Sequence, residues 1–330
     1  MTLDVLNGMR ELVGEIKEQL GKLNGKFVVD VGCNDGSLLN FFKQEGARVC
    51  GIEPTAAAAD ARKAGIAVIN DFFDPASAKR LITEHGYPDV ITFTNVFAHI
   101  ENMDELLEAV EILMSKGGRL VVENHYLGAV LDKYQFDTFY HEHPRTYSLT
   151  SFVAIARRLG RNIESCAFPS RYGGNIRVVI GPGQSQSAAI AAGIAREIDF
   201  FDRFDRMRKV IYNWISFRNT LLESVRCTDG KVYAKAFPGR AAILIRMLGL
   251  SATDIAMVFE KPTSMKIGNY VPGTRIPIVS DDELLLIIPE PRRVLNLAWH
   301  IHSEIVRYLT AFDPNIQCID IFPPTGYNGK

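Results

Sequence analysis

The feature that most constrains this fold is a regular alternation of short apolar segments with segments of helical period between residues 27 and 123. Phe27-Val28-Val29-Asp30-Val31 reads as a strand, a glycine turn follows, and helical spacing resumes over residues 37–44. Further strands are expected at 48–53, 66–70, 89–94 and 119–123, with helices at 56–64 and 104–114. Strands and helices alternating at this spacing specify a parallel, doubly wound α/β sheet.

On the N-terminal side, Leu3, Leu6, Met9, Val13, Ile16, Leu20 and Leu23 recur every three or four residues, an amphipathic helix that Asn24-Gly25 should stop. On the other side, a helix at 148–159 precedes two more strands at 162–168 and 175–180. Seven strands ending in such a pair suit a class I methyltransferase sheet better than a six-stranded dinucleotide fold. Gly181-Pro182-Gly183 closes that region, and residues 188–225 read as helical, with Phe200, Phe201, Phe204, Tyr212 and Trp214 as packing residues. Strands at 231–236, 255–259, 284–288, 294–298 and 317–321 then specify a smaller Rossmann-like α/β domain. The expected divisions are an N-terminal helix (1–24), a cofactor-binding domain (25–183), connecting helices (184–228) and a C-terminal α/β domain on the substrate side (229–330).

At 330 residues and 47% apolar content the chain has ample core for two domains. A net charge of −1 argues against a nucleic-acid or anionic-membrane partner, either of which needs a basic excess. The five cysteines are scattered and form no CxxC pair, so a reducing, cytoplasmic setting is expected, without a metal site. No apolar stretch approaches the ~20 residues of a membrane span.

The turn after the first strand, Asp30-Val-Gly32-Cys-Asn34-Asp35-Gly36-Ser37, opens a helix that continues with Leu38. Glycines let the backbone approach a ligand, and a helix N-terminus supplies free N–H groups. The spacing G-x-x-x-G differs from the G-x-G-x-x-G of dinucleotide binders. Glu53 ends the second strand, where an acid can accept both hydroxyls of a ribose. Asp71 and Phe72, after the third strand, could hold an adenine by hydrogen bond and stacking. S-adenosylmethionine meets these conditions, with a nicotinamide dinucleotide as the alternative ligand.

Residues 136–148, FDTFYHEHPRTYS, put Tyr140, His141, Glu142 and His143 side by side. Proton abstraction next to a carbonyl needs a base titrating near working pH and a donor for the enolate oxygen. The competing reading is a polar turn with partly solvated rings. Arg157, Arg158, Arg161, Arg171 and Arg177 fall in one region. Arg177, alternating with Asn175 on the last strand, is the one best suited to a diphosphate. His300 and His302 follow Trp299 and are expected on a helix N-terminal surface.

These residues resemble the family of S-adenosylmethionine-dependent sugar C-methyltransferases, which act on nucleotide-linked ketosugars. The resemblance spans nearly the whole chain. It is most specific in FDTFYHEH with YSLTSF, and in Gly173-Gly174-Asn175-Ile176-Arg177. Asn95-Val96-Phe97-Ala98-His99 matches the family's segment beside the cofactor. The stretches from Tyr270 to Pro277 and from Leu297 to Trp299 resemble its C-terminal domain. The resemblance implies His143 as base, Tyr140 as the enolate-stabilising phenol, and Glu142 and His99 as supporting groups. It adds Asn95 to the cofactor residues, and Lys235 and Arg240 to Asn175 and Arg177 on the substrate side.

Two departures stand out. The family's N-terminal zinc module has no counterpart here, and no metal is expected. The first turn of the second sheet reads Tyr233-Ala-Lys-Ala-Phe-Pro-Gly239-Arg240 in place of G-x-A-A-K-G-N. An O- or N-methyltransferase, in which a base need only deprotonate a hydroxyl or amine, and an inactive cofactor-fold binding module are the other readings.

Overall fold

The computed structural model describes residues 3–170 and 173–322; Arg171 lies outside them. The chain divides into two units, Met1–Val130 with His141–Phe200, and Leu131–Tyr140 with Phe201–Lys330.

In the first unit α1 (Leu3–Leu20) is followed by β1 (Phe27–Val31), α2 (Ser37–Gln44), β2 (Arg48–Ile52), α3 (Ala58–Lys63), β3 (Ala67–Ile69) and α4 (Pro75–His85). Next come β4 (Val90–Thr94), α5 (Met103–Met114) and β5 (Arg119–His125), and α6 (Leu127–Asp132) straddles the division between units. Then α7 (Leu149–Arg158), β6 (Asn162–Ala167), β7 (Asn175–Gly181) and α8 (Ser187–Ala195) complete it. The strand order is β3-β2-β1-β4-β5-β7-β6, parallel except for β7, which runs antiparallel to both β5 and β6. This is the class I methyltransferase sheet, as its late strand pair foretold.

Two apolar layers sandwich the sheet. Leu12, Val13 and Ile16 of α1 pack with Leu38 and Phe42 of α2 over Val28, Val90 and Val121. On the opposite face Leu81 of α4, Leu106 and Val110 of α5 and Phe152 of α7 cover Val29, Ile91, Phe93 and Val122. Each such fully buried Leu or Val side chain contributes about 1.5–3 kcal/mol relative to exposure. The N-terminal helix stops sooner than Asn24-Gly25, because Gly21 takes a left-handed φ of 75° at its end. Sequence reading passed over α4, which Asp74 starts by a reciprocal capping box with Ser77 and Pro75 continues.

The second unit contains α9 (Phe200–Ser216), α10 (Arg218–Val225), β8 (Tyr233–Lys235), α11 (Ala241–Met247), β9 (Met257–Glu260) and β10 (Ile278–Ser280). After these come α12 (Leu284–Ile287), β11 (Arg293–Asn296), α13 (His302–Thr310) and β12 (Gln317–Asp320). Its sheet runs β10-β9-β8-β11-β12, all parallel. The strand expected at 284–288 is a short helix instead. Ser280 accepts from Asp282 N–H and caps a 3₁₀ turn that leads straight into α12. The third strand is β10, a three-residue segment too short to show a period.

Among the described residues no helix is long and apolar enough to cross a membrane.

Candidate active site

The site is built on the carboxyl ends of β1, β2 and β4, on either side of the point where strand order reverses, which is where open α/β sheets hold ligands. After β1 the backbone passes through three left-handed residues in five, with φ of 72° at Gly32, 51° at Asn34 and 78° at Gly36. A Cβ at Gly32 would lie 2.4 Å from Val96 Cγ2, so only glycine fits there. Asp35 accepts from Ser37 N–H at 3.0 Å and fixes the entry into α2. Leu38 is buried in the core beneath.

Glu53, just beyond β2, accepts from Asn34 N–H at 3.0 Å and from Thr55 N–H at 2.8 Å. It is only 5% exposed. Asp30 is buried and accepts from Thr92 Oγ1 at 2.6 Å. Burial pushes its carboxyl up to about 7, against the hydrogen bond from Thr92, with Glu53 adding to the rise. Asp71 accepts from Phe72 N–H at 2.9 Å, and the Phe72 ring is 73% exposed. A cavity of about 460 Å³ opens here, lined by Gly32, Ile52, Pro54, Phe72, Val96 and His99 among others. A glycine cradle, an acid at the second strand end and an apolar wall with an exposed ring fit S-adenosylmethionine. The residues that would hold it are Gly32, Asn34, Gly36, Glu53 and Phe72.

At the next strand ends the groups become polar. Asn95 follows β4 with φ of 56° and donates its N–H to Glu123 O at 2.7 Å. Glu123 is fully buried on β5 and accepts from Asn175 Nδ2 at 3.0 Å and from Arg177 Nε at 2.7 Å. Arg177 Nη1 also lies 2.6 Å from Glu15 Oε1 of α1. Burial alone would favour the neutral guanidinium, but Glu123 and Glu15 outweigh it and hold the charge. Arg177, read in the sequence as a diphosphate ligand, is therefore engaged by two carboxylates with its side chain only 1% exposed. That correction follows from Glu123, which sits directly across the β5–β7 ladder from Arg177.

The loop carrying the histidines returns to the same unit. His99 Nδ1 lies 2.6 Å from Glu142 O. A carbonyl only accepts, so Nδ1 carries a proton and donates it to Glu142 O. The His143 ring centroid is 4.8 Å from that of His99 and 5.8 Å from that of His125, the last residue of β5. Arg145 donates to Ile100 O at 2.9 Å, and Leu127 N–H to Tyr147 O at 2.8 Å, tying the C-terminal end of the loop down. His141 and Glu142 are exposed. Tyr140 is partly buried and belongs to the second unit.

In the second unit Lys235 Nζ lies 2.7 Å from Asp281 Oδ1, and Tyr308 OH donates to the same carboxylate at 2.7 Å. Burial lowers the Lys235 pKa, against the pull of Asp281. Arg240 Nε and Trp299 Nε1 both donate to buried Asp137, at 2.9 and 3.0 Å. Lys235 and Arg240, expected on the substrate side, are thus held by carboxylates of their own unit. The turn after β8 repeats the device of the first sheet. Ala236 has φ of 61°, and Glu260 at the end of β9 accepts from Phe237 N–H at 2.7 Å.

Sequence reading missed Glu123, His125, Glu15, Asp137 and Asp281. A signal existed for the first two: Glu123-Asn124-His125 is a polar run closing an otherwise apolar parallel strand, the end of a strand where sites form.

Residues 7–165 match the model of a methyltransferase domain, and residues 170–319 that of a C-methyltransferase C-terminal domain. The chain is 30% identical over 310 residues to C-methyltransferase NovU of Streptomyces niveus, covering 92% of this chain and 73% of NovU. It is 32% identical over 111 residues to a ubiquinone biosynthesis O-methyltransferase of Escherichia coli, covering 32% of this chain and 45% of that one. A structure of magnesium protoporphyrin IX methyltransferase from Synechocystis PCC 6803 with bound SAH aligns with a TM-score of 0.43 at 18% identity, over 55% of this chain and 84% of that one. With a relative matched over 92% of this chain and 73% of its own length, and both domain models matched in order, the chain belongs to the C-methyltransferase family.

Proposed function

We propose that this C-methyltransferase acts on a nucleotide-linked ketosugar and methylates the carbon next to the ketone through an enolate. The observation that carries the reading is His143: its ring lies 4.8 Å from His99, which itself lines the cavity suited to the methyl donor. A base beside the donor's cavity is what a carbon nucleophile requires, since a carbon next to a ketone is too weak an acid to react unaided.

Bound S-adenosylmethionine supplies an electrophilic methyl on a sulfonium. Every other task falls to the chain. His143, as neutral imidazole, takes the proton from the substrate carbon. General-base help of this kind contributes on the order of 10²–10⁴-fold. Tyr140 donates its O–H to the developing enolate oxygen, and such a donor adds a comparable factor. The electron pair released from the C–H bond would form the new C–C bond to the methyl as that methyl's bond to sulfur breaks and leaves a neutral thioether, and the proton leaves with His143. His99, oriented by the hydrogen bond from its Nδ1 to Glu142 O, stands beside the base. Asn95, held between Glu123 and Asn175, borders the donor side. The scattered cysteines fit a cytoplasmic setting for this chemistry.

The test is to incubate the protein with labelled methyl donor and a panel of nucleotide-linked ketosugars, and to locate the methyl group by NMR. A methyl on the carbon beside the ketone supports the reading. A methyl on a ring oxygen or an amino nitrogen, with the ketosugars inert, contradicts it.

A further inference from the structure

Metal ligands in this chain do not fall into a recognisable spacing, yet the fold of the second unit gathers three of them. His302 is the first residue of α13, and Cys318 and Asp320 project from the same side of β12, two residues apart on the edge strand of the sheet. Their donor atoms all lie within 4.8 Å of one another. Three features set this group apart from a chance cluster. Its donors are of three kinds, an imidazole, a thiol and a carboxylate. Asp320 is aimed by an outer partner, buried Asn296, which donates to its Oδ1 at 2.7 Å. The His302 side chain is 45% exposed, which leaves the site open on one side.

We infer that His302, Cys318 and Asp320 form a site for a zinc-like divalent transition metal, with solvent as the fourth ligand, clipping β12 to the start of α13. A thiolate with an imidazole selects zinc or cobalt over calcium or magnesium, which prefer oxygen cages. Bonds of roughly 2.0–2.3 Å to tetrahedral zinc need donors somewhat under ~4 Å apart, within a small closure of the present spacing. His302 Nδ1 now lies 2.9 Å from Asp320 Oδ1. On metal binding the imidazole proton moves to solvent-facing Nε2 and frees Nδ1. Cys318 loses its proton to water. One thiolate and one carboxylate then balance the dication, and the site is neutral. The site plays no part in methyl transfer as described above.

The test uses Co(II) alone as probe on the full chain. Wild type should take up the ion with a near-ultraviolet thiolate-to-cobalt band and the visible bands of four-coordination, releasing a proton from the thiol, and Zn(II) should displace it. Cys318→Ser should lose the thiolate band. His302→Ala, at an exposed position that leaves folding intact, should weaken binding at least ~10-fold, the scale expected even for an outer-sphere change. Absence of a thiolate band in wild type, the same band in Cys318→Ser, or unchanged affinity in His302→Ala would overturn the assignment.

Discussion

Glu53 accepts two backbone N–H groups, from Asn34 in the glycine turn and from Thr55. A ribose held there, as the proposed function requires, would use the remaining lone pairs of the same carboxylate. Glu53→Ala should therefore weaken S-adenosylmethionine binding by about 1–3 kcal/mol in calorimetry, and unchanged affinity would remove Glu53 from the site. Asp30 makes a different prediction. Its pKa rises from 3.8 unfolded to about 7 folded, mainly through burial. The folded state thus binds the proton more tightly, and this group's contribution is complete below pH 3.8 and lost as pH rises to about 7. Asp30→Asn keeps an acceptor for Thr92 and has no charge to bury. Its stability relative to wild type, from urea melts at several pH values, should climb across that window and then level off. A constant difference would show that Asp30 does not titrate there.

At the scale of elements, β5, β7 and α1 are joined by one buried guanidinium. Arg177→Met leaves fully buried Glu123 without its cation, and such a loss costs about 3–5 kcal/mol. Denaturant melts should show it, and adding Glu123→Gln should recover part of the loss. If Arg177→Met is neutral, the pair is not what binds β7 to β5. The strands of the first sheet were readable because continuous apolar runs between turn residues have few other interpretations. The run Leu284-Leu-Leu-Ile287 defeated the same approach: apolar in every position, it carries no period, and the cap at Ser280 decided for helix. The candidate site was readable where one local motif carries it, as in the turn from Gly32 to Gly36 and the His99 and His143 segments. It was hidden where partners are remote. Arg240 and Asp137 are 103 residues apart and Lys235 and Asp281 are 46 apart, so no spacing reveals that these cations are already engaged.

For the molecule as a whole, both sheets carry an acid after the second strand that grips the turn after the first, Glu53 on Asn34 and Glu260 on Phe237. The second turn replaces glycine with Phe237-Pro238, and Lys235 below it is held by Asp281. The first unit therefore keeps the open cradle of a cofactor site, and it also contains the three histidines. Its chemistry stands or falls on whether a proton leaves carbon. In heavy water, with a ketosugar from the panel that is methylated and without methyl donor, wild type should wash deuterium into the carbon beside the ketone. His143→Asn should abolish both this exchange and methyl transfer while leaving donor affinity intact. Full exchange and methylation by His143→Asn would contradict the assignment of His143 as the base.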